Sequence, residues 1–105
     1  MVGSGSGESV VPVAIARVAK KCGARVAHIG SNPDSALAPL TDIFLRIPVA
    51  TRLRRPDKIP SQQIMTSVFD QALYVLGDAI APLDLPRRKG IVDLNGLWQR
   101  HANLE

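Results

Sequence analysis

Ser4-Gly5-Ser6-Gly7-Glu8-Ser9 puts three hydroxyls and two bare glycine backbones within six residues, and a helical pattern begins at once behind them. Serine hydroxyls and unpaired N–H groups at the head of a helix make an anion site, because the free donors and the helix dipole both favour negative charge. The chemistry implied is the holding of a phosphorylated ligand. Gly5 and Gly7 add close backbone approach, since no side chain stands between their N–H groups and the anion. Taken alone, the same stretch also reads as a flexible start or a serine helix cap. Such a loop is ordinarily carried on the end of a strand in an open α/β sheet. Only Met1, Val2 and Gly3 precede it, so no strand is expected in front.

The elements that must position this loop follow in order. Residues 9–22 read as a helix, with Val11, Ala14, Ile15, Val18 and Cys22 at spacings of three and four. Pro12 falls in the first turn, where its missing N–H costs little. Lys20, Lys21 and Gly23 mark the end. Residues 25–29 read as a short strand. Residues 30–35 form a loop, 35–40 a single helical turn, and 42–47 a second strand stopped by Pro48. Helix, strand, turn and strand in this order imply parallel pairing with crossovers.

A basic, proline-punctuated loop occupies residues 48–60. A long helix is expected from about Gln62 to Ala81, with Met65, Val68, Phe69, Ala72, Leu73, Leu76 and Ile80 on a broad apolar face. Pro82–Lys89 reads as a loop. A last helix is expected over residues 91–102, anchored by Trp98. Two strands alone do not make a stable sheet, and their open edge would present unpaired backbone groups. The pattern therefore reads as the second part of a larger α/β fold, with about two strands and three to four helices present.

At 105 residues the chain is one small domain or a piece of one, and 46% hydrophobic content suits a packed core. The formal charge is +4, concentrated in Arg52, Arg54, Arg55 and Lys58 and in Arg87, Arg88 and Lys89. These runs read first as two solvated loops, and the alternative reading is attraction of an anionic substrate. No aromatic residues interleave with them, which argues against nucleic acid as a partner. Cys22 is the only cysteine, so neither an internal disulfide nor a cysteine-rich zinc site is expected. No signal-peptide pattern or membrane-length apolar run appears, and a cytoplasmic protein is the expectation.

Three segments together carry a resemblance: Ser4–Ser9, then Gln63-Ile64-Met65-Thr66-Ser67-Val68-Phe69-Asp70-Gln71, then Arg100-His101-Ala102-Asn103-Leu104-Glu105. In this order and at these separations they resemble the sugar isomerase (SIS) domain family, and within it the 6-phospho-3-hexuloisomerases. Asn32-Pro33-Asp34-Ser35 and residues 42–48 match the middle of that pattern. The likeness spans nearly the whole chain but only the C-terminal half of the family's usual length. A first glycine-rich loop and the strands beside it have no counterpart here. This leaves open an internal start at Met1 within a longer protein.

The resemblance implies a parallel sheet between helices and a dimer or tetramer. It implies a hexose phosphate as ligand, no metal or organic cofactor, and no partnership with nucleic acid or membrane. The implied reaction moves a proton between adjacent carbons of a 3-hexulose 6-phosphate to give fructose 6-phosphate. Ser4, Gly5, Ser6, Gly7 and Ser9 match the phosphate-binding positions. Asp70 stands where the family has its proton-transferring glutamate, and His101 matches an assisting histidine. Glu8, Gln63 and Ser67 are candidates for lining the pocket, whereas His28 carries no motif and reads as structural. Asp70, Ile64 and Thr66 replace the family's glutamate, proline and glycine. Those departures leave a second expectation open: a truncated or non-catalytic module that binds a sugar phosphate or assists assembly.

Overall fold

The computed structural model describes residues 1–51, 56–64 and 67–89. The chain divides into two compact units, Met1–Tyr74 and Val75–Glu105. The first is an α/β unit. Its three strands are β1 (Val2–Gly3), β2 (Ala27–Gly30) and β3 (Ile43–Arg46), and its first helix is α1 (Val10–Lys21). A second helix, α2 (Ser67–Lys89), begins in this unit and runs on into the second.

All pairing is parallel, in the order β1-β2-β3. Val2 pairs with His28 and Gly3 with Ile29, while Ala27 to Gly30 pair with Ile43 to Arg46. The expected pairing of the two recognisable strands is therefore present, and a third strand is added. β1 corrects the expectation that no strand precedes the serine loop. It is two residues long and ends in glycine, so it has no alternation to read. Its identity comes from β2, which supplies its hydrogen-bonding partner.

α1 occupies the expected helix to within a residue at each end. It closes as a Schellman motif: the Ala24 N–H donates to Ala19 O and the Gly23 N–H to Lys20 O, both at 3.0 Å, with Gly23 at φ 77°. Its buried face is not the expected stripe. Val13 and the fully enclosed Ala16 face the core with Val26 and Leu37, and Val2, Ala19 and Leu40 pack around them. Val11, Ile15 and Val18 point outward, each more than half exposed, as do Val10, Ala14 and Cys22. Small Ala16 allows close approach of helix to sheet, and this selects one of two apolar faces. β3 is exposed along its whole length, including Ile43, Phe44 and Leu45.

The expected turn at 35–40 is a 3₁₀ helix over Ala38–Leu40. Val49 and Ile59 form an isolated parallel bridge. The Ala50 N–H donates to Ile59 O, and the Ile59 N–H to Pro48 O. α2 starts later than expected, at Ser67, with Gln63 and Ile64 in a bend before it. It also continues through Pro82–Lys89, which the prolines mark as a loop in the sequence. Each internal proline removes one backbone hydrogen bond. Leucines and arginines between and after the prolines are good helix formers. The helix expected at 91–102, with Trp98, lies outside the described residues, as does Met65.

Candidate functional site

The serine loop leaves the carboxyl end of β1 and opens α1, the side of a parallel sheet where α/β proteins place their ligands. Its entry prolongs the sheet ladder. The Ser4 N–H donates to Ile29 O at 3.0 Å, and the Ser31 N–H donates to Gly5 O at 2.9 Å. The loop then closes on itself. Ser4 Oγ accepts from the Gly7 N–H at 3.2 Å, and Ser6 Oγ accepts from the Glu8 N–H at 3.3 Å. Both hydroxyls therefore keep their own protons available to donate. Ser4 is buried and Ser6 half-buried.

Ser9 is the N-cap of α1, in extended conformation, with no side-chain cap bond. The first intrahelical bond is the Val13 N–H to Ser9 O, so the N–H groups of the first turn are the usual unused donors of a helix start. Gly7 sits at φ 70°, a left-handed conformation that side chains rarely adopt. A Cβ there would also lie 2.4 Å from Ser35 Oγ.

Three elements brace this loop from below. His28, buried on β2, donates from Nε2 to Ser4 O at 3.1 Å, which places the proton on that nitrogen. Its ring packs against Phe44 at 5.1 Å between centroids. Asn32, also buried, donates from Nδ2 to Ser6 O at 3.4 Å and to Asp34 O at 3.1 Å. Glu8, a candidate for the pocket, turns its carboxylate to the Ala36 N–H at 3.2 Å and so ties the loop to the segment after β2.

Val49 and Lys58 complete the floor. Ser31 Oγ donates to Val49 O at 2.7 Å, and the buried Lys58 ammonium donates to Ser31 O. Asp57 pairs with Arg46 and lies 3.5 Å from Lys58. Desolvation pushes the Asp57 carboxyl up, but the Lys58 charge and the other partners outweigh it and hold it below its ordinary value.

α2 reaches the loop through Phe69. Its ring would lie 3.2 Å from a Cβ on Gly5, and Leu73 would lie 2.5 Å from one on Gly3. Phe69 is only 2% exposed and is the largest fully buried side chain among the described residues. Asp70 follows it in the first turn of α2 and is exposed. Gln63 Oε1 accepts from Ser67 Oγ at 3.0 Å and from Gln71 Nε2 at 3.2 Å, so these three polar residues form one cluster at the head of the helix. His101 lies outside the described residues, as does Thr66.

The structure thus gathers Ser4, Gly5, Ser6, Gly7, Glu8 and Ser9 into one loop and brings the first turn of α2 against it through Phe69. His28, read as structural in the sequence, is such a brace, whereas sequence reading missed the parts played by Ser31 and Asn32, both buried. An Asn-Pro-Asp-Ser loop directly after a strand was the available signal for one of them, since Asn before Pro favours a turn built on its own side chain. Among the described residues, no group of three or more histidine, cysteine or carboxylate side chains is placed to hold a metal ion. No helix among them is long and apolar enough to cross a membrane.

A parallel sheet with a hydroxyl-rich, glycine-bent loop between its first strand and first helix is an α/β arrangement of the kind the resemblance to the sugar isomerase (SIS) domain implies. Over all of its length the chain is 41% identical to 3-hexulose-6-phosphate isomerase of Mycobacterium gastri, covering 51% of that protein. It is 33% identical, again over its whole length, to 3-hexulose-6-phosphate isomerase of Bacillus subtilis strain 168, covering 56% of it. The chain is similar to these two isomerases along the whole of its own length. It spans about half the length of the curated relatives it matches. A solved structure described as that of a hypothetical protein superposes with a TM-score of 0.70 over 97% of this chain and 53% of that one, at 24% identity, and shows the same fold. No family model matches the chain.

Proposed function

We propose that this chain carries the phosphate-holding and proton-transferring portion of a 3-hexulose-6-phosphate isomerase and corresponds to the C-terminal half of its relatives. The observation that carries this reading is the loop itself: hydroxyls and orphan N–H groups converge at the start of α1, on the carboxyl side of a parallel sheet. Ser4, Ser6 and Ser9 donate to the phosphate of a hexose 6-phosphate, and the backbones of Gly5 and Gly7 approach it closely.

The reaction that fits is a ketol shift. A carboxylate removes the proton from C2 of the 3-hexulose, giving a C2–C3 enediol, and returns it to C3 while the hydroxyl proton passes from O2 to O3. Asp70 takes this role and His101 assists at the oxygens. No metal or organic cofactor enters these steps. The exposed apolar residues of α1 and β3 support assembly as a homo-oligomer.

Asp70 favours a second reading. It is one methylene shorter than glutamate, and a misplacement of about 1 Å costs on the order of a hundredfold in rate. The chain then binds a sugar phosphate without turning it over. The discriminating experiment measures isomerisation of 3-hexulose 6-phosphate by the purified chain and by Asp70→Glu, alongside binding of fructose 6-phosphate. Turnover that rises with Asp70→Glu supports the enzyme. Binding with no turnover in either form supports the non-catalytic module, and absence of both turnover and binding contradicts the phosphate site.

A further inference from the structure

The seam between Gly7–Glu8 and residues 35–37 is stitched at nearly every polar group. The Leu37 N–H donates to Gly7 O, and the Ala36 N–H to the Glu8 carboxylate, both at 3.2 Å. Ser35 O accepts from the Ala38 N–H at 2.9 Å. Ser35 Oγ breaks the pattern. It is buried in a residue only 7% exposed, and it has no hydrogen-bond partner among the described residues. Burying a hydroxyl without a partner is costly, and an alanine would fill the same space without that cost.

The orphan hydroxyl faces the serine loop. Both Ser35 Oγ and Ser35 Cβ would lie within 2.5 Å of a Cβ on Gly7, so only a bare backbone separates them from the loop. Two bonds within the loop, at 3.2 and 3.3 Å, lie at the long, weak end of the range. Opening them for a ligand releases the Gly7 and Glu8 N–H groups. α1 supplies twelve residues of aligned dipole behind Ser9, whose side chain makes no cap bond.

We infer that Ser35 is a further binding residue of this anion site, donating its hydroxyl to a phosphoryl oxygen seated over Gly7. The inference rests on the phosphate reading of the loop and extends it to a residue outside the serine–glycine motif. An ionised phosphate monoester accepts hydrogen bonds and donates almost none. A buried donor lacking an acceptor is its complement. The unsatisfied hydroxyl is then a cost carried by the empty site and removed on binding.

The test uses the full chain and its Ser35→Ala variant. Inorganic phosphate and fructose 6-phosphate are titrated by calorimetry, and the ligand-free proteins are melted. Ser35→Ala is expected to weaken both ligands by about tenfold, the scale of one hydrogen bond to a charged group. The same variant is expected to raise the ligand-free Tm by roughly 4 °C or more, because it removes a buried orphan. Ser35→Cys, similar in size but a weaker donor, falls between the two in affinity.

A lowered Tm with unchanged affinity marks a purely structural serine and overturns the inference. A lowered Tm together with weaker binding also overturns it, because the loss then follows from damage to the fold. If wild type binds phosphate and Ser35→Ala binds it equally, this inference fails while the function stands. If wild type binds neither ligand, both fall.

Discussion

The two ends of the parallel sheet are built from different chemistry. At the amino end, Asp42 Oδ2 accepts from the Val26 N–H at 2.6 Å, and the Lys20 ammonium donates to both Asp42 carboxylate oxygens, at 2.8 and 2.9 Å. The Asp42 N–H donates back to Val26 O at 2.8 Å. Every oxygen there is used, in a clamp open to water. At the carboxyl end, the serine loop is packed over buried His28, Ser31, Asn32 and Thr51, and it holds a glycine at positive φ and a buried hydroxyl without a partner. The amino end satisfies its groups and sets where the strands begin. The carboxyl end retains a buried hydroxyl without a partner and the unused N–H groups of a helix start, which are features that collect at ligand sites.

The contrast breaks most severely at Phe69. Phe69→Ala empties the space against Gly5 and is expected to cost about 3–5 kcal/mol, read from denaturant melts. Because the same ring joins α2 to the loop, fructose 6-phosphate binding should fall with it. Gly7→Ala comes next. It forces a side chain into a left-handed backbone and onto Ser35, at a cost of about 2 kcal/mol or more. Phosphate binding measured by calorimetry should be lost even at temperatures where the variant remains folded.

The amino end sharpens the comparison with a smaller effect. The Lys20 hydrogen bond, helped by the Val26 N–H, holds the Asp42 carboxyl below its ordinary value. A depressed folded-state pKa contributes stability that is present above the unfolded value and lost as pH falls through the folded one. Asp42→Asn is therefore expected to lower the Tm modestly at neutral pH and to converge with wild type in acid. Phosphate affinity at pH 7 should be unchanged, because Asp42 lies at the end of the sheet away from the loop. A Tm difference that does not shrink as the pH falls below the ordinary carboxylate range, or a loss of affinity, would contradict this division of labour.

Much of this arrangement is legible in the residues, and the exceptions share a cause. α1 shows through its spacing and through Gly23, both local signals. β2 and β3 show as short β-branched runs, each within two residues of its observed limits. β1 does not show, because two residues carry no period and their pairing is decided 26 positions away. The outward turn of Val11, Ile15 and Val18 is equally invisible, since spacing finds an apolar face but not which of two faces meets the sheet. Pro82 and Pro86 signal a break that their helix-forming neighbours override. In the candidate site, Ser4–Ser9 is readable because its function lies in consecutive residues. Its braces are not, because His28, Asn32 and Ser35 reach the loop only through the fold.

The central claim is that the loop opening α1 binds the phosphate of a phosphorylated hexose. Its most direct test is a titration of the isotope-labelled chain, followed through its amide resonances, with fructose 6-phosphate and with fructose. The account predicts that the Gly5, Gly7 and Glu8 signals and those of the first turn of α1 shift saturably with fructose 6-phosphate and stay still with fructose. Unmoved signals with the phosphate ester, or equal shifts with the unphosphorylated sugar, would contradict it.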